Sequence, residues 1–147
     1  MIRLADAQAT ESLGRALADA LVPGDIIALY GPLGAGKTTL ARGILRGLGH
    51  DGDVGSPTFP IVLTYEPPEL RLPVWHVDLY RIEAAAELDE LGLDEARAEG
   101  VLLIEWPERM RRLWLDALKL RLLPEPGAGR ALTAEVPAAW GARWPPR

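Results

Sequence analysis

The chain has 147 residues, which is the size of one domain with a single hydrophobic core. Its 21 acidic and 16 basic side chains give a formal net charge of -5, so the surface as a whole lacks the basic character of a direct DNA- or RNA-binding protein. The absence of cysteine excludes disulfides and thiolate metal sites, and no apolar run is long enough to span a membrane. We therefore expect one cytoplasmic domain over residues 1–147, with a C-terminal tail over 137–147.

The first predicted element is an amphipathic helix whose apolar face would pack on the rest of the domain. Leu13, Leu17 and Leu21 recur at helical spacing on one face, and the Pro-Gly pair at 23–24 ends the pattern. Thr10 or Ser12 is the predicted N-cap of this helix.

Residues 31–38 have the spacing of a phosphate-binding P-loop, with a glycine, four free positions and then Gly-Lys-Thr. The glycines allow the backbone to wrap with its amides pointing inward, while Lys37 supplies a cation and Thr38 a hydroxyl for magnesium. A strand-like run over 25–30 precedes the loop and a helical pattern follows it, which favours a nucleotide site over an ordinary glycine-rich turn. The predicted nucleotide contacts of this stretch are Gly31, Leu33, Gly34, Ala35, Gly36, Lys37, Thr38 and Thr39.

The segment over 50–60 is rich in turn-forming residues and is predicted to be a loop. A hydroxyl in such a loop can sense the terminal phosphate and its magnesium. Thr58 is the candidate for this switch contact, and a simple turn between a helix and a strand is the alternative.

Two strand-like runs, 61–65 and 74–78, favour a hairpin. Asp78 then lies at a strand end, where its carboxylate can hold water on a metal or orient a nucleophile. A cap or an ion pair is the alternative for Asp78. His76, on the same strand face, is interpreted as structural.

The run 101–106 contains four consecutive apolar residues, which is typical of a strand buried on both faces of a parallel sheet. Glu105 lies at its carboxyl end, where such sheets bind ligands. We therefore predict that Glu105 is the acidic partner of the P-loop, and that it holds magnesium directly or through water, or polarises the attacking water. A structural glutamate at a strand end is the alternative for Glu105.

The last third of the chain contains three arginines, Arg109, Arg111 and Arg112, and then two alternating runs over 118–122 and 130–136 that predict a second hairpin. The whole pattern predicts an α/β fold of the P-loop NTPase type. Its layers form a three-layer sandwich with a mostly parallel central sheet and antiparallel hairpin additions.

Five stretches, 31–39, 56–59, 76–81, 87–92 and 104–107, together resemble the TsaE family, formerly called YjeE. The P-loop is shared with many families, but the Ser-Pro-Thr, His-x-Asp-x-Tyr-Arg and Glu-Trp motifs in this order are specific to this one. Gly55 and Phe59 depart from the pattern, because family members commonly have a basic residue and a tyrosine at these positions.

The resemblance implies a small ATPase that binds ATP or ADP with Mg²⁺ and acts with the TsaD and TsaB proteins. These partners attach a threonylcarbamoyl group to the adenosine beside the anticodon of tRNAs that read codons beginning with adenine. ATP hydrolysis would reset that complex, and the contact with tRNA would be indirect.

The resemblance also assigns roles to individual residues. It implies that Thr38 and Glu105 hold the metal, that Lys37 and the loop amides bind the phosphates, and that Asp78 supports catalysis. The implied catalytic set is Lys37, Asp78 and Glu105, with Thr58 as the switch contact. Thr10 and Arg130 would lie near the nucleotide.

Two other functions remain open from the sequence. A small-molecule or nucleotide kinase also needs a P-loop, with an acceptor pocket and an arginine-bearing lid. A binding switch would hold ATP without hydrolysing it. A GTPase is disfavoured because its guanine-reading Asn-Lys-x-Asp motif requires asparagine, which this chain lacks.

Overall fold

The computed structural model describes residues 1–32, 34–52, 54, 62–80, 92–110 and 113–146. The strands are β1 (Ile2–Leu4), β2 (Ile26–Tyr30), β3 (Val62–Tyr65), β4 (Val74–Asp78), β5 (Val101–Glu105), β6 (Leu118–Pro124) and β7 (Arg130–Glu135). The helices are α1 (Ala7–Ala20), α2 (Lys37–Leu48) and α3 (Leu93–Glu99), and two short 3-10 helices span Pro107–Arg109 and Ala138–Arg143. None of the helices within these ranges is both long and apolar enough to cross a membrane.

The described strands form one sheet in the order β1-β7-β6-β2-β5-β4-β3. The four central strands are parallel, because β2 pairs with both β5 and β6, and β5 pairs with β4. The predicted hairpins are confirmed as β3-β4 and β6-β7, and both are antiparallel. The expected mostly parallel sheet with antiparallel additions is therefore confirmed.

Two hydrophobic cores flank the sheet and give the fold its three layers. Leucines of α1 and α2 pack on one face against alternate residues of β2, β5 and β6. The second core, on the other face, includes Leu93 and Ala96 of α3. Every residue of β5 is buried, as its continuous apolar sequence predicts for a strand covered on both sides.

Helix α1 begins earlier than the sequence predicts. Its N-cap is Asp6, which has extended backbone angles and whose side chain accepts a hydrogen bond of 2.8 Å from the amide of Ala9. The prediction of Thr10 or Ser12 as the cap is therefore wrong, since both lie inside the helix. Asp6 is an equally good capping residue, and the alanines after it are strong helix formers that extend the helix by a turn.

The C-terminal segment forms an element where a tail was predicted. Trp140 of the last 3-10 helix is 1% exposed and belongs to the first core. Arg143 donates two hydrogen bonds to the carboxylate of Asp25, of 2.7 and 3.1 Å, and one of 2.9 Å to the carbonyl of Ala20. Through these contacts the C-terminal segment packs on the core and links the last residue of α1 to the residue before β2.

Three helical glycines allow α1 and α2 to pack closely. A Cβ atom on Gly14 would overlap the backbone of α2, while one on Gly43 would overlap the backbone of Glu11. A Cβ on Gly47 would likewise overlap Ala18 and the backbone of Arg15. The two helix backbones are therefore nearly in contact, and α2 holds the P-loop at its N-terminus.

Gly43→Ala is expected to destabilise the protein by about 1–3 kcal/mol, because the added methyl group must separate the two helices. Urea unfolding monitored by circular dichroism measures this change. An unstrained glycine-to-alanine change inside a helix would stabilise by about 0.5–1 kcal/mol, so the sign alone tests the packing. A gain in stability would contradict it.

Candidate functional site

The P-loop sequence begins directly after β2, which ends at Tyr30, and its last two residues, Lys37 and Thr38, are the first two of α2. Gly31, Gly34 and Gly36 have φ angles of 144°, 76° and 103°, which residues with a Cβ rarely adopt. A Cβ on Gly31 would also overlap the carbonyl oxygen of Leu122 on β6. The loop therefore needs its glycines, and it presents the N-terminus of α2 at the carboxyl edge of the parallel sheet, where anions are bound.

Lys37 is buried at the base of this loop, with 5% of its surface exposed. Its Nζ donates a 2.6 Å hydrogen bond to the carbonyl oxygen of Gly31 and lies 3.6 Å from the centre of the Trp106 ring. Burial lowers the pKa of Lys37, and the carboxylates of Glu105, Glu108 and Asp78 oppose that effect. Lys37 makes no direct salt bridge among the described residues, so its charge is available to an anionic ligand.

Glu105 ends β5 and reaches the start of α2. In the parallel register it lies opposite Leu29 of β2 and Asp78 of β4. Its Oε1 is 3.5 Å from Oγ1 of Thr38, which is too long for a strong hydrogen bond but brings the two predicted metal ligands together. The described residues contain no cluster of three or more acidic or histidine ligands, so a divalent ion here would take its other ligands from a substrate and water.

Asp78 lies beside Glu105 at the end of β4 and is 4% exposed. Its Oδ1 accepts a 2.9 Å hydrogen bond from the amide of Tyr80. Burial raises the pKa of Asp78, as does the charge of Glu105 to a smaller extent, while the Tyr80 amide lowers it. Two carboxylates therefore share one buried edge of the sheet.

Asp78→Asn is expected to raise the melting temperature at pH 7. The folded protein raises the pKa of Asp78 above its ordinary value of 3.8, so the ionised carboxylate destabilises the fold at neutral pH and the protonated one does not. Asparagine is neutral at every pH and keeps the acceptor for the Tyr80 amide. The gain should therefore shrink as the pH falls from 7 toward 4, which thermal melting followed by circular dichroism can measure.

Asp116→Asn is the control with the opposite sign. A hydrogen bond from Arg97 lowers the pKa of Asp116, so ionised Asp116 stabilises the fold at pH 7 and its removal should lower the melting temperature. A lower melting temperature for Asp78→Asn at pH 7 would contradict the account of this buried carboxylate.

His76, interpreted from the sequence as structural, directly contacts the site. It is fully buried, and its Nε2 lies 2.6 Å from Oε2 of Glu105. The signal for this contact was present in the sequence, since His76 precedes Asp78 by two residues on the same strand face. The missing information was the parallel register that aligns Asp78 with Glu105.

Trp106 was not assigned a role from the sequence outside the Glu-Trp motif. It follows Glu105 directly and has a φ of 59°, which is rare for a residue with a large side chain and often marks a functional site. Its ring lies over Lys37 and is 4.9 Å from the ring of Tyr80, over which Arg109 lies at 5.8 Å. The strained backbone therefore turns an aromatic side chain back over the P-loop lysine.

A second group of predicted residues surrounds a cavity of about 200 Å³ beside the P-loop. The cavity is lined by Ala7, Thr10, Gly36, Thr39, Gly127, Ala128 and Arg130. Arg130 donates hydrogen bonds of 2.9 Å to the carbonyl oxygens of both Ala35 and Gly34. Its guanidinium group thus braces the backbone of the loop from the side opposite Glu105.

The structure therefore brings Lys37, Thr38, Asp78 and Glu105 together at one edge of the sheet, with Thr10, Thr39 and Arg130 around the adjoining cavity. Leu33, Thr58 and the departures at Gly55 and Phe59 lie outside the described residues, as do Arg111 and Arg112.

Comparisons with known proteins find one family along most of the chain. The family model described as Threonylcarbamoyl adenosine biosynthesis protein TsaE matches residues 4–131, which include every predicted site residue from Thr10 to Arg130. The tRNA threonylcarbamoyladenosine biosynthesis protein TsaE of Streptomyces coelicolor is 44% identical over 112 residues, which cover 75% of this chain and 76% of that protein. The protein of the same name from Bacillus subtilis is 42% identical over 105 residues, covering 71% and 64%.

A solved structure is also similar to this chain. The crystal structure of Bacillus subtilis YdiB has a TM-score of 0.77 with 30% sequence identity, and the match covers 95% of this chain and 86% of YdiB. The likeness thus extends over nearly all of the sheet and helices that position the site.

Proposed function

The chain belongs to the TsaE family, whose role is in the biosynthesis of threonylcarbamoyladenosine in tRNA, and from this premise we propose that it binds and slowly hydrolyses ATP. One observation carries the proposal. Lys37, Thr38 and Glu105 converge at the carboxyl edge of the parallel sheet, directly after a loop with three positive-φ glycines. This set of groups suits a triphosphate and its metal.

The phosphates of ATP would be bound by the amides of residues 31–38 and by Lys37. The Lys37 ammonium already has one carbonyl partner, the oxygen of Gly31, and is poorly solvated. A phosphate oxygen carries negative charge, so it attracts the ammonium more strongly than the neutral carbonyl of Gly31 does. The positive end of α2 adds to the same attraction.

Thr38 and Glu105 fit a magnesium site that is completed by the substrate. A hydroxyl and a carboxylate oxygen 3.5 Å apart are both hard oxygen donors, which is the chemistry that Mg²⁺ prefers. A bound Mg²⁺ ion would neutralise charge that develops on the phosphate oxygens during transfer. The small number of protein ligands agrees with a metal that enters together with ATP.

The reaction we propose is in-line attack of water on the terminal phosphate. Lys37 and the loop amides stabilise the charge that develops on the phosphate oxygens. Glu105 and Asp78 are the acidic groups on this edge that can orient the attacking water, and both are shielded from solvent. Bond formation to the water oxygen and cleavage of the bond to ADP release inorganic phosphate.

The cavity beside the loop is the proposed place for the nucleoside. It is lined by Gly36 and Thr39, by Thr10 of α1, and by Gly127 and Ala128 of the turn before β7. Arg130 holds the carbonyls of Gly34 and Ala35, which keeps the amides of the loop directed toward the phosphates. ATP and ADP have the same nucleoside, so both would place it in this cavity, against Thr10 and Arg130.

Partner proteins are needed in this proposal because the described residues provide no arginine that faces the transferred phosphate. Arg130 is engaged with loop carbonyls, and Arg109 lies over the ring of Tyr80. We therefore propose slow turnover alone and faster turnover with TsaD and TsaB, whose complex would be reset by hydrolysis, with tRNA contacted only through that complex.

A reconstituted modification reaction tests this function. TsaB, TsaD, unmodified tRNA, a threonylcarbamoyl donor and ATP are combined with or without this protein, and the modified adenosine is counted per TsaD. We expect many rounds only when this protein and hydrolysable ATP are both present. Equal yields without it, or phosphate transfer to a small acceptor with no association in a pull-down, would contradict the proposal and favour the kinase.

A further inference from the structure

We propose that His76 is a positioning residue that holds the Glu105 carboxylate so that its Oε1 faces Thr38. The inference rests on the proposed function, since it concerns the same metal and water site. It differs from the sequence interpretation of His76 as a structural residue.

The hydrogen bond between these side chains has a defined direction. An ionised carboxylate only accepts hydrogen bonds, so Nε2 of His76 must be the donor to Oε2 of Glu105. The 2.6 Å separation is at the short end for a hydrogen bond to a charged acceptor. Oε1, the other oxygen of the same carboxylate, is thereby left to point at Thr38, 3.5 Å away.

The environment of His76 indicates that a polar side chain is present here to form a hydrogen bond with Glu105. The side chain is fully buried, and its Nδ1 has no hydrogen-bond partner within the part of the chain that the structure describes. A buried polar atom without a partner costs about 1–3 kcal/mol, so an apolar residue would suit this strand position better if only packing mattered. Among the described residues, Glu105 is the one hydrogen-bond partner of the His76 side chain.

The sheet explains why this residue can reach that carboxylate. His76 aligns with Leu103, and Asp78 aligns with Glu105. His76 therefore lies two registered pairs before Glu105, which is the nearest earlier position on the same face of the sheet. Glutamate has three rotatable side-chain bonds, and the hydrogen bond from His76 limits the orientations that the Glu105 carboxylate can adopt. Groups that orient a metal ligand in this way typically change metal affinity or activity by about 10- to 100-fold when they are removed.

The test compares two amide substitutions at this position. The amide nitrogen of His76→Gln falls near the place of the lost Nε2, whereas that of His76→Asn falls near Nδ1 and does not reach Glu105. Isothermal titration calorimetry gives the Kd for ATP with Mg²⁺ and with EDTA. The magnesium gain is the Kd in EDTA divided by the Kd with Mg²⁺. We expect His76→Gln to keep this gain within about threefold and His76→Asn to lose about 10-fold or more, with similar Kd values in EDTA.

Two further variants separate positioning from general destabilisation. Val74→Ala removes buried volume from the same strand and face without touching Glu105, so it should lower the melting temperature yet keep the magnesium gain. Glu105→Gln should lose the gain itself. The role of His76 would be overturned by equal magnesium gains for the two histidine variants, or by a loss of gain with Val74→Ala as large as with His76→Asn. In either case, a loss of gain with Glu105→Gln would still support the magnesium site itself. A wild-type protein that binds no ATP would overturn the proposed function as well.

Discussion

Lys37→Met is expected to weaken ATP binding by about 10- to 100-fold, which corresponds to the loss of one hydrogen bond between charged groups. The ammonium is buried at the base of the P-loop, where it has a carbonyl and an aromatic ring as neighbours and no direct salt bridge among the described residues. Methionine keeps most of the side-chain volume but offers no donor. Calorimetric titration with ATP measures the change in Kd.

Lys119→Met is the matched control, because Lys119 is the only other lysine of the chain. It lies on β6, and its Nζ is 3.6 Å from Oε2 of Glu135, away from the P-loop. The control should bind ATP with the wild-type Kd and melt close to wild type, since exposed ion pairs contribute little to stability. An unchanged Kd for Lys37→Met would mean that the loop does not bind the phosphates.

Glu105→Gln is expected to bind ATP in EDTA like the wild type and to hydrolyse it at least about 100-fold more slowly. The P-loop amides and Lys37, which bind the phosphates, are unchanged. The substitution replaces the anionic oxygen that faces Thr38 by a neutral amide that no longer suits a metal or an attacking water. Phosphate release at saturating ATP and Mg²⁺ gives the turnover.

Glu108→Gln is the control for Glu105→Gln, because it removes the same charge from a side chain three positions along the chain. Glu108 is exposed in the 3-10 helix after Trp106. Its charge acts on Lys37 without a direct salt bridge, and solvent screens this exposed carboxylate, so turnover should stay within about twofold of wild type. Wild-type turnover by Glu105→Gln would remove this carboxylate from the mechanism.

The sequence predicted those parts of the fold whose cause is local. The glycines of 31–38 predict the P-loop turn, and the apolar run before Glu105 predicts a buried parallel strand, because each pattern depends on neighbouring residues. The two hairpins follow for the same reason. The predicted ligands Thr38 and Glu105 are accordingly brought together in the structure.

The remaining features depend on contacts between distant segments. The His76 to Glu105 hydrogen bond requires the register of β4 against β5, and Arg130 reaches the carbonyls of Gly34 and Ala35 across the fold. The two-residue spacing of His76 and Asp78 places them on one strand face, but no pattern within a single segment determines either contact. The positive φ of Trp106 is likewise set by its surroundings, since tryptophan has no preference for that backbone region.

The most direct measurement is a crystal structure of the protein with Mg²⁺ and a non-hydrolysable ATP analogue. The account predicts the β- and γ-phosphates within hydrogen-bond distance of the amides of 31–38 and of Lys37 Nζ, the metal on Thr38 and Glu105, and the nucleoside in the cavity beside Thr10 and Arg130. An analogue bound elsewhere, or a loop whose amides turn away from the phosphates, would contradict it.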